Sequence, residues 1–296
     1  FTQQTSGLSR QAAAYYQYII TTQDVDNLWG NLYTNVMSNC KDMIKQSDAK
    51  GYHVYSGIGK ILLAYSLQIT SDAWGAIPYS TAFQGTLNLQ PTYDNSSSIY
   101  GVVGTLLDQG IADLNNSSSG VLVPGGDDYI FGGDATKWIQ FAHAIKARLA
   151  IHQAKGNAAM TDLALSEVAL AMGANSDNAV LKFGTSETNS NPWYQFNEQR
   201  TDIGFSVSTM NDSLIARLDP RYPFMIDSAN EFVTGFGLAA YYGGIDGTVE
   251  FSTYDEMLFI KAEALARKSD FTNAETAMQD GIRASMTKLG VASTDI

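Results

Sequence analysis

From Ala135 to Gly156 the chain reads ATKWIQFAHAIKARLAIHQAKG. Trp138, Phe141, Ala142, Ile145, Leu149 and Ile151 fall at helical spacing against Lys146, Arg148 and Gln153, so one side of a helix here is apolar and the other is not. Such a stripe has to be buried, and the next run, MTDLALSEVALAM before Gly173, supplies a second helix to bury it against. The two predict a helical hairpin. Asp134, whose carboxylate can accept the first backbone N–H groups, is the predicted N-cap, and Gly156 the predicted stop.

The same period recurs elsewhere. A helix is predicted after Arg10, and Asp24 or Asp26 is placed to cap a second one carrying Leu28, Leu32, Val36 and Met43. The run VYSGIGKILLAYSLQITSDAW puts Ile58, Leu62, Tyr65 and Ile69 on one face and is stopped by Gly75 and Pro78. Ser96 to Ser98 are placed to cap a helix with Ile99, Val102, Val103, Leu106, Leu107, Ile111 and Leu114 on its apolar side. The run from Thr253 to Gly290 predicts two amphipathic helices around a turn at 268–270, with Ala262, Ala266, Ala274 and Ala277 allowing close approach. A hairpin of about 34 residues has the size of a tetratricopeptide unit, although that repeat's full Trp, Leu-Gly and Pro signature is absent. Between Ala174 and Gly247 the texture changes to turn formers mixed with aromatics, which predicts loops and a recognition surface carried on a helical scaffold.

Composition excludes several classes. With 45% apolar residues the chain is not disordered, and 296 residues suffice for one large domain or two ordinary ones. The balance of 18 basic against 30 acidic residues, a formal charge of -12, repels polyanions, so nucleic acid is not expected as a partner. A single cysteine, Cys40, permits no intrachain disulfide and no all-Cys metal site. No run reaches the roughly 18 apolar residues of a membrane helix, and the opening FTQQTSGLSRQ lacks the basic and apolar regions of an export signal.

The motifs of familiar chemistry are missing. The chain has no G-x-x-x-x-G-K-S/T, dinucleotide fingerprint, H-E-x-x-H, G-x-S-x-G or C-x-x-C, so no cofactor and no catalytic residues are expected. Asp127 with Asp128, and Asp255 with Glu256, could serve as paired carboxylates of a glycoside hydrolase, but caps, turns and solvated faces use the same residues. His143 and His152 are two and a half helical turns apart and cannot grip one ion together. GGDDYIFGGD offers three carboxylates but departs from the calcium-loop pattern and reads as a turn before a helix.

Aromatics are the stronger signal. Tyr16, Trp29, Tyr65 and Trp138 sit on periodic helices and are expected in the core. Trp193, Tyr194, Phe196, Tyr241 and Tyr242 lie in polar or glycine-rich connections, where a ring can stack on a sugar, grip a partner or pin a loop. These five are the candidate ligand-binding residues, with Asn191, Gln195, Asn197 and Asp202 as sources of hydrogen bonds.

Five blocks occur in order: DAWGAIPYS at 72–80, PTYDNSSSIYGVVGTLLDQGIADL at 91–114, GDATKWIQFAHAIKARLAIH at 133–152, LDPRYPFM at 218–225, and TYDEMLFIKAEALARKSDFTNAETAMQDGIRAS at 253–285. Together they resemble the SusD/RagB family of outer-membrane nutrient-binding lipoproteins of Bacteroidetes. The resemblance implies a mainly α fold, a tetratricopeptide-like helical-hairpin scaffold with long irregular loops. It also implies a single SusD-like domain over 1–296 that continues beyond both ends, loop-rich at 174–250, with a lipid anchor upstream of Phe1. The implied function is binding, not catalysis. Such a protein captures an oligosaccharide or other nutrient on the extracellular face of the outer membrane, as the lid of a TonB-dependent, SusC-like transporter. Asp72, Trp74, Gly75, Pro78 and Tyr79 match the family's D-W-G-x-x-P-Y element, read as fold-defining, and Trp138, Arg148 and Glu263 match scaffold positions. A glycoside hydrolase using paired carboxylates, or an interaction scaffold without small-ligand binding, are the alternatives.

Overall fold

A computed structural model of the chain describes residues 6–7, 9–116, 121–199, 203–204, 209–225 and 241–295. Its helices are α1 (Arg10–Tyr16), α2 (Gln23–Gly30), α3 (Ser38–Lys50), α4 (His53–Trp74), α5 (Ser96–Asn115), α6 (Ala135–His152), α7 (Ala158–Val168), α8 (Pro192–Gln199), α9 (Thr209–Ala216), α10 (Tyr222–Met225), α11 (Tyr254–Arg267) and α12 (Phe271–Leu289). The strands are short: β1 (Ser6–Gly7), β2 (Ile77–Pro78), β3 (Tyr93–Asp94), β4 (Ala179–Lys182), β5 (Ile203–Gly204) and β6 (Thr248–Ser252). They form three antiparallel pairs, β1 with β5, β2 with β3 and β4 with β6. The fold is mainly α, as the periodicity requires. The chain divides into two compact units, one of Gln23–Gly173 and Glu256–Met278, the other of Phe1–Thr22, Ala174–Asp255 and Gln279–Ile296.

In the unit holding Gln23–Gly173, α4 is the central rod, packed by α3, α5 and α6. Burial reaches almost all round it: Val54, Ile58, Ile61, Leu63, Ala64 and Leu67 are in the core, and so are Ser56, Ser66, Gln68, Thr70 and Ser71. Hydroxyls survive there because Ser66 and Thr70 donate to the carbonyls of Leu62 and Ser66, four residues back, at 2.8 and 2.6 Å. Leu62, Tyr65 and Ile69, expected on the buried face, are only half-buried: between residues 61 and 70 they are the less covered stripe of a helix buried on its other sides. Gly57 of α4 and Gly110 of α5 let the two helices cross at backbone contact. A Cβ on Gly57 would stand 2.8 Å from the Gly110 carbonyl oxygen, and one on Gly110 would stand 3.0 Å from that of Gly57.

The hairpin of α6 and α7 forms as expected. Trp138, Phe141, Ala142, Ile145, Leu149 and Ile151 are all buried, and Asp134 accepts the N–H groups of Thr136 and Lys137 at 2.9 and 3.2 Å. Glu167 of α7, itself buried, takes His143 and Lys146 of α6 at 2.6 and 2.7 Å. Arg148 reaches Glu256 of α11 through two parallel bonds of 2.6 and 2.7 Å. The N-cap of α5 is Asn95, not Ser96 to Ser98: its side chain accepts from the Ser98 N–H at 2.8 Å.

Helices α2 and α3 run on from one another through a π-helical segment, Asn31–Met37. A π turn holds more residues than an α turn, so the stripe expected through Leu28, Leu32, Val36 and Met43 loses its phase. Leu28 is exposed, and the buried residues are Met37, Cys40 and Ser47.

The DAWGAIPY stretch makes the corner after α4. Asp72 accepts hydrogen bonds from the Tyr100 hydroxyl and, at 3.1 Å, from His152. Gly75 has φ +78, a backbone conformation that a side chain resists, and this turns the chain into β2. The Pro78 carbonyl accepts from Tyr33, and Asp94 of β3 accepts the N–H groups of Tyr79 and Ser80 at 2.9 and 2.8 Å. Trp74 packs edge-on against Trp29 at 5.3 Å. Side chains of Asp72 and Trp74, the backbone turn at Gly75 and the backbone groups of Pro78 and Tyr79 together fix the corner. Trp138 is fully buried, and Trp29 and Tyr65 are half-buried against other rings; the side chain of Tyr16 lies outside the described residues.

In the second unit the stretch expected as loops contains short elements: β4, β5, β6 and α8 to α10. Strand β4 pairs with β6 in the register Val180 to Glu250 and Lys182 to Thr248, with an irregularity between Ala179 and Val180. The Asn178 side chain accepts the Tyr254 N–H at 2.7 Å, and that of Asn175 donates to the Ala284 carbonyl at 2.9 Å.

Candidate functional site

The candidate site is built around Asn191, which is fully buried. Helix α8 begins at Pro192, whose missing N–H costs nothing at a first helical position. Just before it, the Asn191 side-chain oxygen accepts the N–H groups of Trp193 and Tyr194 at 2.7 and 3.3 Å. Its amide nitrogen donates to the Tyr242 carbonyl at 3.2 Å, and its backbone N–H to the Ile245 carbonyl at 2.8 Å. One residue therefore fastens the start of α8 to the turn that carries Tyr241 and Tyr242. The two groups of candidate aromatics, some fifty residues apart in sequence, share a single backbone frame.

On α8, Trp193 is 41% exposed and meets Phe196 edge-to-face at 6.3 Å, while Tyr194 and Phe196 are half-buried. Gln195 donates to the Glu187 carbonyl and to the carbonyl and hydroxyl of Ser190, at 2.9 to 3.1 Å. Asn191 and Gln195, expected to offer hydrogen bonds to a ligand, thus hold the loop together instead. The Asn197 side chain and Asp202 lie outside the described residues.

Across the frame, the rings of Tyr241 and Tyr242 stand edge-to-face with centroids 4.8 Å apart. Both hydroxyls donate to Glu250 of β6, at 3.0 and 3.1 Å. Lys288 of α12, whose side chain is 5% exposed, sits 2.9 Å from Glu250 and 3.0 Å from Asp255. Burial first, and then the charge of Glu250, hold both phenols well above the usual tyrosine range. Glu250 and Lys288 were not legible as site residues, because only the pairing of β6 with β4 and the return of α12 bring them to the tyrosines.

The other candidate groups are engaged elsewhere. Asp127 accepts from Tyr55 at 2.7 Å and from the Gly125 N–H at 2.8 Å. Asp128 gathers the N–H groups of Ile130, Phe131 and Gly133 and the indole of Trp138, which makes GGDDYIFGGD a turn closed on its own carboxylate. Asp255 faces Lys288, Glu256 faces Arg148, and Glu263 makes a surface pair with Arg267. Among the described residues no three His, Cys, Asp or Glu side chains converge to hold an ion, and no helix is long and apolar enough to cross a membrane.

Comparison with known proteins gives a consistent result. The SusD-like family model described as "Starch-binding associating with outer membrane" matches residues 1–295. No curated protein matches. Among solved structures, a SusD/RagB family protein from Bacteroides thetaiotaomicron is 21% identical with a TM-score of 0.74, over 98% of this chain and 68% of that one. A chitin-binding SusD homolog from Flavobacterium johnsoniae is 21% identical with a TM-score of 0.81, over 99% and 65%. A further chitin-binding protein is 23% identical with a TM-score of 0.79, over 99% and 71%. At such identities the likeness is one of fold, and the chain spans about two thirds of the length of these structures. With the helical scaffold, the ordered motifs and a family match over nearly its whole length, the chain belongs to the SusD-like family, SusD/RagB in type, of proteins associated with the outer membrane.

Proposed function

We propose that this chain binds a glycan nutrient on the extracellular face of the outer membrane, as the capturing subunit of a SusC-like, TonB-dependent transporter, and does no chemistry on it. The observation that carries the reading is the aromatic frame: exposed Trp193, with Tyr194, Phe196, Tyr241 and Tyr242, all tied through Asn191. Rings held by a scaffold lose little side-chain entropy when a sugar stacks on them. The paired carboxylates that hydrolysis would need are instead bonded to Tyr55, Trp138, Lys288 and Arg148. In this reading residues 1–296 are one SusD-like domain, 174–250 is its recognition region, and a lipid anchor attaches upstream.

Calorimetry with malto- and chito-oligosaccharides tests the ligand, chosen from the family's description and its solved relatives. Saturable binding without product release is expected, and Trp193→Ala should weaken it about tenfold, roughly 1.4 kcal/mol. An unchanged Kd in that variant would remove the aromatic frame from the site, and sugar release would move the hydrolase to the front. Extraction of the full-length protein from native outer membranes tests the partner: a barrel of the SusC type should co-purify in equal amount, and a protein running alone would sink the transporter role.

A further inference from the structure

Glu250 lies on β6 opposite Val180, and its side chain is half-buried, 18% exposed. One oxygen accepts the Tyr241 hydroxyl and the other that of Tyr242. Lys288, nearly buried, lies against the first oxygen and bridges to Asp255, so Glu250 has a cation beside it that it shares with a second carboxylate. Tyrosine has one O–H to donate, and in both residues it is directed to Glu250. The two rings stand at 82° to one another, so when one lies flat on a planar surface the other meets it by its edge.

We propose that Glu250 is the positioning residue of this tyrosine pair: with Lys288 it turns both hydroxyl donors away from the ligand, so that Tyr241 and Tyr242 meet a glycan through ring carbon. This rests on the glycan-binding reading and narrows it. A sugar ring with equatorial hydroxyls presents a face of C–H groups, and such a face suits a floor and a wall of aromatic carbon. The pair then reads the shape of that face and leaves the recognition of individual hydroxyls to other residues.

The test joins binding to a signal that does not need a ligand. With tyrosine labelled at 13Cζ, the Tyr241 and Tyr242 resonances, assigned through Tyr241→Phe and Tyr242→Phe, should titrate at clearly lower pH in Glu250→Gln than in the wild type, because the variant removes the negative charge beside the phenols. In calorimetry with the same oligosaccharides, Tyr241→Ala and Tyr242→Ala should each weaken binding more than tenfold, and the Phe variants less than threefold. Glu250→Gln should weaken it about fivefold with the melting curve still cooperative. Unmoved tyrosine titrations in Glu250→Gln would overturn the proposal, and so would Phe variants as weak as the Ala ones, since the hydroxyls would then be contacting sugar. A wild-type protein that binds neither oligosaccharide would overturn the glycan reading and the stacking role with it, while the titration would still decide whether Glu250 holds the two hydroxyls.

Discussion

At the scale of single residues, the core of α4 holds one polar group out of place. Gln68 is fully buried, and neither end of its amide has a hydrogen-bond partner among the described residues. An amide left in that state forgoes its water bonds without replacement, at a cost of about 1–3 kcal/mol. Gln68→Leu, similar in volume, should therefore raise the free energy of unfolding by about 1 kcal/mol in a denaturant titration, and a lower midpoint would show that the amide is satisfied. Asp219 is the opposite case. Arg221 grips it through Nε and Nη2, at 2.9 and 2.6 Å, and this holds its carboxyl below the usual aspartate range. A depressed carboxyl contributes stability that is fully present above its unfolded value, about 3.9, and lost as pH falls through the folded value. Asp219→Asn should thus cost about 2 kcal/mol at pH 7, and the gap to wild type should close in acid, well below pH 4. A gap that persists there would assign the loss to packing instead of charge.

At the scale of elements, the crossing of α4 and α5 depends on two absent side chains. Gly57→Ala and Gly110→Ala each force a methyl against a carbonyl oxygen or Ile61, and should destabilise by about 1–3 kcal/mol. Gly101 and Gly104 of the same α5 have open space where a Cβ would stand, so alanine there should stabilise by up to about 1 kcal/mol through helix propensity. Equal effects at all four positions in thermal melts would contradict the crossing. Elements of this kind were legible where the information is local. The apolar stripe of α6 and its cap at Asp134 are written within twenty residues, and both form. The face of α2 and α3 was misread because a π-helical segment changes the residues per turn, which no single-period reading detects. Strands β4 and β6 are not legible in the local pattern, because each is held by a partner more than sixty residues away. The same holds at the site. Trp193 and Tyr242 stand out by residue type, but the bond from Asn191 that joins their segments, and the Glu250 and Lys288 beneath the tyrosines, depend on chain returns that sequence spacing does not encode.

At the scale of the whole molecule, a formal charge of -12 sets what can approach. Neutral glycans feel no such field, so their affinity should change less than about twofold between 50 and 500 mM salt, where the screening length falls from roughly 14 to 4 Å. A steep fall with salt would reveal charge pairing in the site. The path of the chain has a consequence in time. The unit that carries the aromatic frame is assembled from three separate stretches of the chain, Phe1–Thr22, Ala174–Asp255 and Gln279–Ile296. Strand β1 has no partner until Gly204 has been made, and at about 5–20 residues per second a ribosome needs roughly 10–40 s to get there. Lys288 comes later still, so the carboxylates of Glu250 and Asp255 emerge before the cation that both of them pair with. A nascent chain stalled short of α12 would carry its tyrosines without the lysine beneath them.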